Sequence, residues 1–146
     1  MDESIRKAIF ERVAEEPFSR KLHLKLVDLE EGYSRVYSRV EMTLTPDMEN
    51  IFGMAHGGAI FSLLDVAFET ACNSHGTTAV ALNVMVTYMA PPVPESTLTA
   101  EARELSCTRK TANYDIKAYD DKGRLIASCQ ALAYRKGTPL PFLDEG

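Results

Sequence analysis

The stretch NIFGMAHGGAIFSLLDVAFETACNS, Asn50–Ser74, constrains this chain more than any other. From Gly57 onward it is too apolar for a surface helix, so most of its circumference must be covered. A helix over 57–74 is about 27 Å long, and only a sheet or bundle of matching size can cover it. The flanking sequence supplies strands. Thr77–Ala90 is rich in β-branched residues and almost wholly apolar, the pattern of a central strand buried on both faces. PPVP ends it. STLTAEARELSCT, KTANYDIKAYDDKG and RLIASCQALAYRK read as further strands, with Asp121-Lys122-Gly123 as a hairpin turn. Ahead of the helix, Leu22–Val27 and YSRVYSRVEMTL read as two more, with Glu31-Gly32 as the turn between them. The connections after the helix are too short for crossovers, so the sheet is antiparallel. The expected class is α+β: an antiparallel sheet wrapped around a long central helix.

The ends add little. Asp2–Glu16 places Ile5, Ile9 and Val13 one turn apart, which predicts an amphipathic helix capped by Asp2 and ended by Pro17. The tail GTPLPFLDEG reads as loose. No repeat or linker divides the 146 residues, so one domain spans 1–146. A net charge of −5 speaks against a nucleic-acid partner. No signal-peptide pattern or spanning run points to a membrane, and the expected location is cytoplasmic. Cys72, Cys107 and Cys129 suit reduced thiols. With no CxxC or HxxxH pair, and with His23, His56 and His75 far apart, no metal or other cofactor is expected.

One acid interrupts the central helix. At 100° per residue, Ile60, Leu63, Leu64, Ala67 and Ala71 form the stripe that faces the sheet. Asp65 lies about 140° from Ile60 by the same arithmetic. It belongs to a second stripe with Phe61, Phe68, Glu69 and Cys72, too greasy for open water. A second apolar stripe calls for a second partner, and a copy of the same chain across a two-fold axis is the commonest one. At such a seam desolvation raises a carboxylate's pKa and makes it a stronger base. The alternative is a structural aspartate at the helix surface. Glu69 reads as solvated or ion-paired, outside any catalytic set.

Two glycines open the helix. Free N–H groups and a partial positive charge collect at a helix start, and glycine lets a carbonyl oxygen come close. Gly57 and Gly58 therefore suit an oxyanion hole, or simply let the helix pass a strand. Gly57 and Asp65 are about 12 Å apart along one helix, too far to grip one carbon. Two antiparallel helices across a two-fold axis would bring Gly57 of one chain to Asp65 of the other.

The pattern N-x-x-G-x-x-H-G-G-x-x-F-x-L-x-D, here Asn50, Gly53, His56, Gly57, Gly58, Phe61, Leu63 and Asp65, resembles that of the hot-dog-fold acyl-CoA thioesterases, phenylacetate-degradation branch. The likeness continues through NVMVTYMAPP and GRLIASCQALAYRK. It implies the hot-dog fold, dimers and often tetramers, and thioester hydrolysis without a metal. It further implies that Asp65 activates water or attacks directly, while Gly57 N–H of the other subunit polarises the carbonyl. Asn50 and His56 of that neighbour assist. His56 read by itself is a residue that hydrogen-bonds the backbone at the helix start. Asn83 stands where relatives carry Ser or Thr. No GxSxG elbow is present, and Cys72 has no evident base. Phe61 and Phe68 are expected to line an acyl pocket for aromatic or medium-length acyl groups. The phosphates of coenzyme A need local positive charge, and Arg109 and Lys110 at a hairpin tip are the first candidates, with Arg103, Arg135 and Lys136 behind them. The competing reading is a non-catalytic acyl-CoA or lipid-effector binding module on the same fold. A hydratase fits less well, because Asp47 and His56 lack the spacing.

Overall fold

The computed structural model describes residues 1–32 and 35–143. Asp2 caps helix α1 (Glu3–Glu15) by accepting the Ser4 N–H at 2.8 Å, and Ile9 and Val13 bury its inner face. Pro17 does end α1, but it also opens a short helix α2 (Pro17–Lys21), because proline suits the first helical position. Leu22 caps α2 and His23 turns with a positive φ, so strand β1 (Lys25–Gly32) starts three residues later than expected. Glu31 and Gly32 belong to that strand, and any turn between it and β2 (Arg35–Thr43) lies outside the described residues.

After a 3-10 turn at Pro46–Met48 comes α3 (Gly57–Asn73), then β3 (Thr77–Tyr88), β4 (Thr97–Cys107), β5 (Thr111–Tyr119) and β6 (Leu125–Pro139). The six strands pair antiparallel in the order β1-β2-β4-β5-β6-β3. Asp120 makes the β5–β6 turn with Asp121-Lys122-Gly123 by accepting the N–H groups of Lys122 and Arg124, at 3.0 and 2.8 Å.

The sheet wraps α3 closely because its inner face is built from small side chains. Ala100, Ala102, Ala118, Ala127 and Ala133 are fully buried beneath Leu63, Leu64, Ala67 and Ala71. Deep in this interface the Ser38 and Thr70 hydroxyls meet at 2.7 Å, and Thr70 also donates to the Val66 carbonyl. Gly76 turns the chain out of α3 with φ +86°, and a Cβ there would lie 2.6 Å from Ile5. The tail is not loose up to its last described residues: Leu140 is buried and donates its N–H to the Gly76 carbonyl.

β3 departs from expectation. It is an edge strand, hydrogen-bonded only to β6 among the described residues. Its outer side is open, with Leu82 58% and Met85 60% exposed. Its apolar run does not alternate as β4 and β5 do: Val80, Ala81, Leu82 and Asn83 are exposed in succession, and Val84 and Val86 pack against the core.

Candidate active site

The start of α3 is shaped by two side chains. Asn50 Oδ1 accepts the N–H groups of Phe52 (2.8 Å) and Met54 (3.1 Å), which folds the loop ahead of the helix. His56, extended at φ −65° and ψ 134°, caps the helix: its Nδ1 accepts the Gly58 N–H at 2.8 Å. The Gly58 amide is thereby engaged, so Gly58 serves the helix start rather than offering a donor. The N–H groups of Ala59 and Ile60 turn back to the His56 carbonyl. Among the described residues the Gly57 N–H has no acceptor. It faces outward at the positive end of the helix dipole.

Tyr88, from the far end of β3, donates its hydroxyl to the Gly57 carbonyl at 2.9 Å and fixes the peptide in place. A Cβ on Gly57 would lie 3.2 Å from the Tyr88 oxygen, tighter than ordinary packing. Gly57, Ile60, Tyr88, Pro91 and Pro92 line a groove of about 280 Å³ at this end of the helix.

Asp65 sits two turns further on and is half-buried. Burial raises its pKa above the usual 3.8, and the nearby Glu16 carboxylate pushes the same way. No hydrogen bond among the described residues counters that rise. Glu69, one turn beyond, is raised too, by burial first and then by Glu16. The residue is exposed to solvent, as expected, with the Glu16 carboxyl close by. Burial lifts the Cys72 and Cys129 thiols to about 12 and about 11, so neither is a ready thiolate.

Phe61 is 36% exposed on the outer side of α3, as expected. Phe68 is not: it is only 2% exposed and packs edge-on against Tyr114 with ring centroids 5.5 Å apart. It belongs to the core and lines no acyl pocket. Cys72 is buried likewise. The cover around α3 extends about 80° to 120° from Ile60 and takes in both residues.

Asn73 ties the end of α3 to β3, accepting the Ala79 N–H at 2.9 Å and donating to its carbonyl at 3.2 Å. From that clamp, rises of about 1.5 Å per helical residue and about 3.3 Å per strand residue bring Asp65 level with residues 82–83. Asn83 is exposed there, paired with Leu132 beside a register shift, and makes no hydrogen bond to Asp65. Arg109 and Lys110 occupy the exposed β4–β5 tip. Arg135 braces that tip from below, its Nη1 donating to the Thr108 carbonyl and its backbone N–H to the Lys110 carbonyl. Arg103 is drawn elsewhere, over the Tyr37 ring and toward Glu101.

The thioesterase superfamily pattern matches residues 52–127, which include Gly57, Asp65 and Asn83. The acyl-coenzyme A thioesterase PaaI of Escherichia coli is 33% identical over 119 residues, 82% of each chain. The chain belongs to the thioesterase superfamily. The solved structure of the E. coli PaaI protein superposes with a TM-score of 0.86 at 29% identity, over 93% of this chain and 96% of that one. The TT0310 protein of Thermus thermophilus gives 0.76 at 32% identity, over 82% and 97%. The six-stranded sheet around one helix is the hot-dog fold of these relatives, and the family's chemistry is thioester hydrolysis.

Two groups of this thioesterase fold escape sequence reading. Tyr88 is one: nothing in NVMVTYMAPP says that its hydroxyl crosses to Gly57. The other closes the far end of α3. The His75 ring Nε2 meets Glu104 Oε2 at 2.5 Å, and Tyr114 donates to the same oxygen at 2.8 Å. Cys107 Sγ lies within 4.8 Å of the His75 and Glu104 atoms. Twenty-nine positions separate His75 from Glu104, so no spacing rule reveals the contact.

Proposed function

We propose that this protein hydrolyses acyl-CoA thioesters with aromatic or medium-length acyl groups, at a site completed by a second copy of the chain. The observation that carries the reading is the pairing of a free Gly57 N–H with a desolvated Asp65 that its own helix keeps about 12 Å away. Among the described residues neither group has a partner for the chemistry within its own chain. A two-fold axis along the exposed β3 edge brings Gly57 of one protomer to Asp65 of the other.

In this arrangement the thioester carbonyl oxygen accepts the Gly57 N–H. The helix start stabilises the negative charge that grows there in the transition state. Asp65 either takes a proton from the attacking water or attacks the carbonyl carbon itself. Coenzyme A then leaves as the thiolate, and the acid is released. Asn50 and His56 act as positioning residues, because their side chains already hold the loop and the helix start. Asn83 lies at the level of the acid on the paired edge. Arg109 and Lys110 hold the phosphates of coenzyme A. The E. coli relative's name as an acyl-coenzyme A thioesterase supports the substrate class.

The test is free-thiol release from a panel of acyl-CoAs by wild type, Asp65→Asn and Gly57→Pro. Proline at the first helical position deletes the N–H, and Gly57→Ala, whose Cβ crowds the Tyr88 oxygen equally but which keeps the N–H, is its control. Expected losses are about 10²–10⁴ in kcat for the aspartate change and about 10²–10³ for the amide deletion. Wild type that binds acyl-CoA but releases no thiol from any of them would refute the proposal and favour a binding module.

A further inference from the structure

The far end of α3 gathers three metal-binding side chains that take no part in the proposed hydrolysis. His75 follows the helix just before Gly76 turns the chain into β3. Its ring Nε2 meets the Glu104 carboxylate of β4, and Cys107 stands three residues further along that strand. Residues three apart on a regular strand point to opposite faces. Here the β4–β5 pairing slips between Glu104 and Ser106, so Leu105 is an extra residue. That bulge returns Cys107 to the face that carries Glu104. Across the ladder their partners are Tyr114 and Ala112, two positions apart and both buried. One donor atom from each side chain, an imidazole nitrogen, a carboxylate oxygen and a thiol sulfur, lies within 4.8 Å of the others. The sequence, with no CxxC or HxxxH pair, hides the set because its members come from two elements.

We propose that His75, Glu104 and Cys107 bind one zinc ion, which pins the end of α3 to β4. The donor set selects the metal: thiolate and imidazole favour zinc over magnesium and calcium, which take oxygen. Thiolate and carboxylate together balance the charge of the ion. Water takes the fourth tetrahedral position, which solvent reaches past the exposed Cys107. Glu104 is only 5% exposed, and the Tyr114 hydroxyl donates to it at 2.8 Å, so one ligand is oriented in advance. Zinc bonds of about 2.0–2.3 Å hold ligand atoms about 3.3–3.6 Å apart, so His75 and Glu104 separate by about an ångström to admit the ion. Burial first, and then the Glu104 charge, raises the pKa of the Cys107 thiol, with Arg135 opposing. A cation between the two groups reverses that pressure and takes the thiolate. His75 lies ten residues past Asp65, about 15 Å on at helical rise, so the ion touches no thioester held there.

Titration calorimetry of zinc chloride into chelator-treated protein tests this. One ion should bind per chain, and magnesium and calcium should not. At about a hundredfold excess over Kd, zinc should raise the melting temperature by about 5 °C or more. Cys107→Ser and His75→Gln should each weaken binding about 100-fold or more, and Tyr114→Phe, which keeps all three ligands but releases the carboxylate, about tenfold. Cobalt in place of zinc should give a thiolate-to-metal charge-transfer band in wild type and none in Cys107→Ser. Melts of the metal-free proteins show which variants are folded, and because Cys107 is exposed, Cys107→Ser decides the matter even where the others unfold. No stoichiometric binding, or zinc held equally well by Cys107→Ser, would overturn the inference. Thioester cleavage is read separately: an active enzyme that takes no zinc loses only this site, and a zinc-binding protein that cleaves nothing loses only the enzyme reading.

Discussion

Asp65 is held in a setting that disfavours its own charge. Burial is the larger cause and Glu16 the second. Hydrolysis needs the carboxylate form, so rate falls as pH falls through the Asp65 pKa. The acid limb of kcat/KM is therefore expected above the ordinary carboxylate value of 3.8, and Glu16→Gln should move it downward. A pH–rate profile whose limb stays put in that variant would exclude Glu16 as a cause. The stability sign runs with it. The folded-state pKa lies above the unfolded one, so Asp65 favours the fold below the unfolded value and loses that contribution as pH rises through the folded value. His56 gives a sharper residue-scale test. As a cap it should cost about 1 kcal/mol of stability in His56→Ala, while His56→Ser keeps both stability and turnover. Turnover lost in His56→Ser with an unshifted melting temperature would mean that the ring touches substrate. The wheel made Asp65 legible, because an acid about 140° from the core stripe has few places to go. It misplaced Phe68, because a wheel gives an angle and not how far the sheet wraps.

At the scale of elements, β3 carries the lesson. A run that is apolar on both faces says that both faces are covered, and it does not say by which chain. Sequence alone therefore makes β3 central, whereas the fold puts it at an open edge with Leu82 and Met85 exposed. Such an edge invites a second strand. Changing both residues to lysine should leave the fold intact by circular dichroism, give monomers by light scattering, and abolish turnover. A fully active monomer would break the link between this edge and the site. The other strands were legible from alternation and turn chemistry, as at Asp120–Arg124. The α1–α2 junction was not, since proline both ends a helix and begins one.

For the whole molecule, the central claim is a site divided between protomers. The helix and its two ends were readable from Asn50–Ser74, because helix geometry fixes the distance between Gly57 and Asp65. The contacts that order those ends, Tyr88 to Gly57 and His75 to Glu104, join residues distant in the chain and only folding shows them. Subunit mixing tests the claim most directly. Asp65→Asn and Gly57→Pro are each nearly inactive alone, and their heterodimer rebuilds one intact site from the aspartate of one chain and the amide of the other. An equal, statistically mixed population should recover about a quarter of wild-type specific activity, since about half of closed two-fold dimers are mixed and each has one working site. No recovery from mixing, with heterodimers shown to form, would contradict the account.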